Sequence, residues 1–536
     1  MHAVETLGSI SVICSDKTGT LTKNEMTVKE VFIDAKNARN IFVGGSGYTP
    51  KGEFLLKKGV FNYRKNEQFL RLCQIGLLCN DASLIQKGKE WIINGDPTEG
   101  ALVVLAKKAG FEQKKLQKEL PRLGEVAFDM VRKRMSTIYP ISKDKYLIAV
   151  KGAPESVLAC CTRIQNNEAI KQCNNETIKG ILKETDKMAK RALRVLAFAY
   201  KEIDKKDLPG KLEELEADDV EKDLIFAGLA GMIDPPRDEA ENAIKSCLSA
   251  GIKPIIITGD HALTTLSIGQ KIGLFKQNNK NQIIEGKKLD KMSDNELLKI
   301  VEKKSYARVS PAHKLRIIQL LQKKGFVVAM TGDGINDAPA LKKADIGVAM
   351  GISGTDVTKE ASDMILADDN FATIVLAIQK GREIYDNIKK YLFYLLRCNI
   401  GEILVLGGGF LFGLPPVLSA IQILWINLVT DGLPALALGV DPADKNVMKR
   451  KPADPKSSII SRKSVTLMFI LAFNMMIVLL PQFGLLLKKH DLLKAQTIVF
   501  VTMVFMEMIN AYNSRSEGLL IKINPFANKW LNLAVL

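Results

Sequence analysis

The chain has 536 residues, too many for a single hydrophobic core, so two or more folding units are expected. Apolar residues make up 47%, high for a soluble protein with 25% charged residues, and this reads as a water-soluble part joined to a membrane part. The net charge of +17 would suit an anionic partner, but no nucleic-acid motif or arginine-aromatic stripe accompanies it, so nucleic acid is set aside. The eight cysteines lack the spacing of zinc or thioredoxin sites and read as reduced thiols in the cytosol, with no secretory signal expected.

The first informative stretch is Ser9-Ile10-Ser11-Val12-Ile13, short, apolar and β-branched, which predicts a buried parallel strand. It runs into Cys14-Ser15-Asp16-Lys17-Thr18-Gly19-Thr20-Leu21-Thr22. The carboxyl end of such a strand is where open α/β sheets bind ligands. A carboxylate there, Asp16, can act as a nucleophile in phosphate transfer. Lys17 brings positive charge, and the Thr18-Gly19-Thr20 backbone can turn its N–H groups toward phosphate oxygens. These residues resemble the phosphorylation motif of P-type ATPases, ion pumps that pass through an aspartyl phosphate.

From about residue 26 to 231 the chain changes to mixed strands and Lys-rich loops, which reads as an inserted α+β domain. Gly95-Asp96-Pro97-Thr98-Glu99 predicts a turn into a helix with Asp96 or Thr98 as its cap. Phe128 can stack on a purine, Lys151 can meet phosphate and Arg194 can form a bidentate clamp. Each also has an ordinary reading, as a core ring, a residue before a turn and a surface ion pair. Together they resemble the nucleotide-binding domain of P-type ATPases. The resemblance implies roles for Phe128 on the purine, Glu99 near adenine, Lys151 in the pocket and Arg194 on the phosphate side, with Arg308 added from farther along the chain. There is no Walker-type Lys-Ser/Thr loop.

Met232-Ile233-Asp234-Pro235-Pro236-Arg237 predicts a stiff hinge, because two prolines fix φ and stop helix continuation. Alternation of helix and strand then resumes. One apolar strand ends in Thr258-Gly259-Asp260, a helix opens at Ser310-Pro311-Ala312-His313-Lys314, and another strand ends in Thr331-Gly332-Asp333-Gly334-Ile335-Asn336-Asp337. Asp16 and Asp333 are hard carboxylates that can share Mg²⁺, which would neutralise a transferring phosphoryl group. Thr258 and Lys314 can donate to its oxygens, Asn336 can orient a neighbour, and Asp260 and Asp337 support from behind. The set resembles the haloacid-dehalogenase fold, which also implies Thr18 beside the metal and Gly259 in the phosphate loop. Lys17 stands where phosphatases of that superfamily carry an acid/base Asp, so a phospho-Asp here is expected to persist until another group activates water.

Four apolar stretches follow Lys389-Lys390, at about 391–413, 417–440, 467–487 and 495–512, each near the ~20 residues a spanning helix needs. The loop from 441 to 464 carries Lys445, Lys449, Arg450, Lys451, Lys456, Arg462 and Lys463, whereas the loop between the first two spans is uncharged, so the soluble domains are placed in the cytoplasm. Asn399 and Glu402 share a helical face on the first span, as do Asn427, Thr430 and Asp431 on the second, where Gly432 and Pro434 are expected to unwind the helix. Glu507 lies in the fourth. Intramembrane carboxylates read as ion-pathway residues, and this oxygen set suits a hard cation such as Ca²⁺. Na⁺, K⁺ or H⁺ is the alternative ion. The two segments resemble the calcium-pump branch, close to the sarco/endoplasmic reticulum type, whose matching residues hold two Ca²⁺.

The sequence therefore predicts a haloacid-dehalogenase-like phosphorylation domain in two parts, 1–25 and 232–373. A nucleotide-binding domain, 26–231, is inserted between them. A stalk with four membrane helices, 374–513, and a tail with the start of a further span, 514–536, complete the chain. ATP, Ca²⁺ and membrane lipid are the implied partners and Mg²⁺ the cofactor. The family also has earlier membrane helices and an actuator domain with a Thr-Gly-Glu loop. No Thr-Gly-Glu occurs here, so the chain is expected to be a fragment, a non-transporting remnant, or half of a split pump completed by a second polypeptide.

Overall fold

The computed structural model describes residues 2–33, 39–57, 59–88, 90–207, 216–276, 280–444, 446–453, 459–516 and 524–536. Lys445 and Lys456 of the basic loop lie outside them. Five parallel strands form the first sheet: β1 Val12–Ser15, β2 Lys253–Ile256, β3 Val328–Gly332, β4 Ile346–Met350 and β5 Met364–Leu366, in the order β2-β1-β3-β4-β5. Every residue of β1 is buried. The reason is that side chains alternate between two covered faces. Ile13, Ile256 and Ala329 enter one core, and Val12, Cys14, Ile255, Val328 and Met330 the other. In the 2-1-3-4-5 order the chain reverses direction across the sheet between β1 and β3, and the crevice at their carboxyl ends is the expected ligand site.

After Thr22 the chain leaves this sheet and returns at Asp234. Between those points lies a second, mainly antiparallel sheet. Its main path runs through strands 54–55, 39–43, 27–33, 224–233, 194–204, 145–152, 134–142 and 124–126. Strand Leu224–Ile233 is buried along its whole length at the middle of that sheet. The two crossing segments are tied together: Thr22 Oγ1 donates to Asp234 Oδ2 at 2.5 Å, and Lys23 N to Pro235 O at 3.0 Å.

The helix Phe371–Leu411 begins with Phe371, Ile374, Val375 and Ile378 in the core of the first sheet and continues without a break into the apolar segments. Gly8 of helix His2–Ser9 crosses it closely; a Cβ there would lie 3.1 Å from Gly381 O. Among the described residues, four helices are long and apolar enough to span a membrane: Phe371–Leu411, Ala420–Gly439, Arg462–Leu487 and Leu492–Asn513. They are called the first to fourth spans below. The expectation that the second span unwinds at Gly432 is corrected. Gly432 keeps helical angles (φ −63°, ψ −53°), and the irregularity is instead a π-helical segment, Ile426–Asp431. An extra residue per turn is accommodated by widening, and such turns gather at functional sites.

Candidate functional site

Asp16 follows β1 directly and Asp333 follows β3 directly, so both sit at the crossover crevice. The backbone of Asp16 is extended (φ −64°, ψ 151°), and its own carboxylate accepts from Lys17 N at 2.6 Å. Asp16 N donates to Thr331 Oγ1 at 3.1 Å, fixing β1 to β3 at this point. Lys314, from helix Pro311–Lys323, reaches in with Nζ 2.6 Å from both Asp16 Oδ2 and Asp337 Oδ1. Burial pulls the Lys314 ammonium down, but the charges of Asp16 and Asp337 outweigh it and hold the group above its ordinary value.

Lys17 does not face Asp16. It is buried and pairs with Asp260, whose Oδ2 also accepts from Thr18 Oγ1 at 3.2 Å. The positive charge beside Asp16 therefore comes from Lys314, while Lys17 and Thr18 tie the following turn to Asp260. Thr258 is buried and its Oγ1 accepts from Asp260 N at 3.2 Å. A Cβ on Gly259 would meet nothing within 4 Å, so the backbone beside the crevice is open. Asn336 is exposed on its loop. The Arg308 backbone lies here: its N donates to Asp260 O at 2.9 Å, with φ at +52°. Strand ends bring the Arg308 backbone to the phosphorylation-type edge.

Burial, then the neighbouring charges of Asp16 and Asp337, push the Asp333 carboxyl up to about 6. Gly19 (φ +74°) leaves the space in front of it clear; a Cβ would sit 3.5 Å from Asp333 Oδ2 and 3.6 Å from Ser353 Oγ. Crowded carboxylates beside a cleared space fit a hard divalent cation. Ser353 and Asp369 escaped sequence reasoning. Asp369 accepts from Ile352 N, Ser353 N and Ser353 Oγ, which fixes the loop opposite Gly19. A loop anchor leaves no periodic signal.

In the second sheet, Asp96 caps helix Pro97–Lys108 by accepting from Thr98 N at 2.8 Å. Glu99 Oε1 then pairs with Lys151 Nζ at 2.5 Å, and Arg194 Nη1 donates to Thr98 Oγ1 at 2.9 Å. One helix start and two adjacent strands thus bring Glu99, Lys151 and Arg194 together. Phe128 is 60% exposed, so it is not a core ring. It lies in the turn leading to strand Arg134–Ser142, which pairs with Lys145–Gly152.

Within the spans, Glu402 is buried and accepts from Asn427 Nδ2 at 3.2 and 3.4 Å. Asp431 and Glu507 are 1% and 0% exposed, yet their four carboxylate oxygens have no partner among the described residues. Thr430 Oγ1 is likewise buried and unpaired. Asn399 does not join them: it is exposed and donates to Leu395 O of its own helix at 2.8 Å. The buried stripe of the first span runs through Tyr394, Cys398, Gly401, Glu402 and Val405, and Asn399 falls beside it. Cys398 takes the inward place. Its sulfur and one oxygen each of Asp431 and Glu507 all lie within 4.8 Å of one another.

One chain thus joins a doubly wound sheet, with Asp16 and Asp333 at its carboxyl edge and Lys314 reaching in from a helix, to an inserted second sheet and to apolar helices that hold buried carboxylates. Comparison with known proteins gives its family. Residues 68–239 match the model described as P-type ATPase, cytoplasmic domain N, and residues 415–536 match Cation transporting ATPase, C-terminus. The chain is 44% identical to the calcium-transporting ATPase of Bacillus subtilis (strain 168) over 539 residues, covering all of this chain and 59% of that protein. It is 38% identical to the cation-transporting ATPase pma1 of Synechocystis sp. (95% of this chain, 56% of the relative). It is also 39% identical to the human calcium-transporting ATPase type 2C member 1 (96% of this chain, 54% of the relative). The chain belongs to the P-type cation-transporting ATPases and is a multi-pass membrane protein. It spans somewhat more than half the length of these relatives.

Proposed function

We propose that this chain carries the catalytic core and part of the ion path of an ATP-driven Ca²⁺ pump. An Asp16 oxygen attacks the γ-phosphorus of ATP, the bond to the bridging oxygen breaks, and ADP leaves. Lys314 holds Asp16 in place and offsets charge as the phosphoryl group arrives. Asp16, Thr18 and Asp333 would hold Mg²⁺, which when bound offsets phosphate charge. Phe128, Glu99, Lys151 and Arg194 hold the nucleotide, and Arg308 is positioned by its backbone at the phosphorylation end. Glu402, Asn427, Thr430, Asp431 and Glu507 form the cation path. Four buried, unpartnered carboxylate oxygens on Asp431 and Glu507 carry the assignment of that path, because such groups are too costly to retain without a cation or proton to meet them.

Phosphorylation by ATP at graded free Ca²⁺ tests the coupling. Wild-type protein in detergent responds to Ca²⁺, whereas Asp431→Asn and Glu507→Gln lose the response while keeping Mg²⁺-ATP binding. A Ca²⁺ response unchanged in both variants would contradict the assignment.

A further inference from the structure

Glu507, one of the cation-path carboxylates, shares a small cavity with sulfur. Cys398 is 1% exposed, and its Sγ lies within 4.8 Å of one oxygen each of Asp431 and Glu507. Arg397, Met475 and Asn510 line the same small cavity with Cys398 and Glu507. Met475 belongs to the third span and packs over Gly401 of the first; a Cβ on Gly401 would lie 2.7 Å from its Sδ. All four spans therefore bring a thiol, a thioether and two carboxylates, unpartnered among the described residues, to one neighbourhood. Arg397 adds a fixed positive charge, held by Asn510 O at 3.3 Å and Ser514 Oγ at 3.5 Å.

A site built only for a hard ion has no use for sulfur, since Ca²⁺ takes oxygen ligands. Sulfur selects soft and borderline ions, and mixed sulfur and carboxylate ligands suit Zn²⁺ and its heavier congener. We propose that Cys398 is a ligand in this cation site, so that the site takes thiophilic divalent ions, Cd²⁺ and Zn²⁺, as well as a hard one. The inference rests on the reading of Asp431 and Glu507 as the cation path. Coordination forms a metal–sulfur bond and releases the thiol proton to water.

The test uses the full chain in detergent, in a background with the half-buried Cys160 and Cys173 changed to Ser to remove accessible thiols. Cd²⁺ should produce a sulfur-to-metal charge-transfer band in the ultraviolet. Cys398→Ser and Cys398→Ala should abolish it and weaken Cd²⁺ binding by about tenfold or more, with Ca²⁺ affinity changed by less than about threefold. Retained Ca²⁺ binding reports that the variants fold. Glu507→Gln should weaken both ions. A band that persists in both Cys398 variants, or no band in a background protein that binds Ca²⁺, overturns the role of Cys398. Glu507→Gln with unaltered Ca²⁺ binding instead overturns the cation-path reading beneath it.

Discussion

Lys314 is the residue on which the crevice depends most, and Lys314→Met is the perturbation that exposes this. Its ammonium is the shared partner of Asp16 and Asp337, whose side chains are 13% and 4% exposed. Removing one member of a buried charge pair costs about 3–5 kcal/mol, because the other stays buried and uncompensated. Here two carboxylates lose their partner, and Asp333, already pushed up by Asp16 and Asp337, adds like charge. The upper part of that range is therefore expected. Hydrogen exchange of the β1 and β3 amides without Mg²⁺ is the assay. Protection should fall by about three to four orders of magnitude, at about 1.4 kcal/mol per tenfold. Lys314→Met with Asp337→Asn should recover part of the loss, since one orphaned charge is gone. A loss below about 1 kcal/mol in the single variant, the range of an exposed pair, would refute the reasoning.

Phe128→Ala should weaken ATP binding by about 1–3 kcal/mol, the worth of a base–aromatic stack, and leave the unfolding midpoint unchanged because the ring is exposed; calorimetry and thermal unfolding measure the two separately. Burial, with help from nearby Lys29, pushes the Lys108 ammonium down to about 8 from 10.5. Between these values the unfolded chain binds the proton and the folded chain does not. Stability is therefore gained as pH rises from about 8 toward 10.5, and the gain is missing at pH 7. The stability difference between wild type and Lys108→Met should move in favour of wild type across that window, and a flat difference in thermal midpoint would contradict the shift.

What the sequence disclosed, and what it hid, follows from how each residue is used. Asp16 and Asp333 were legible because parallel strands buried on both faces read as apolar runs, and the first polar residue after each run falls at the carboxyl edge. Asp431 and Glu507 were legible because a charge in an apolar stretch needs a reason. Lys17 reads from the sequence only as positive charge, and that it pairs with Asp260 depends on the turn that follows. For Asn399 the helix face is what the sequence leaves open. A polar amide drew attention at a position lying beside the buried stripe, while Cys398, one residue earlier, points inward and looks apolar in composition. The π-helical turn at 426–431 could not be read, because Gly432 and Pro434 signal only that regular bonding is interrupted, not how.

The central claim is that Asp16 takes the γ-phosphoryl group. Purified chain incubated with γ-labelled ATP and Mg²⁺, then quenched in acid, measures it directly. The account predicts acid-stable, hydroxylamine-sensitive label on the peptide containing Asp16, absent in Asp16→Asn. Label of the same stability persisting in Asp16→Asn, or carried by another peptide, would contradict it.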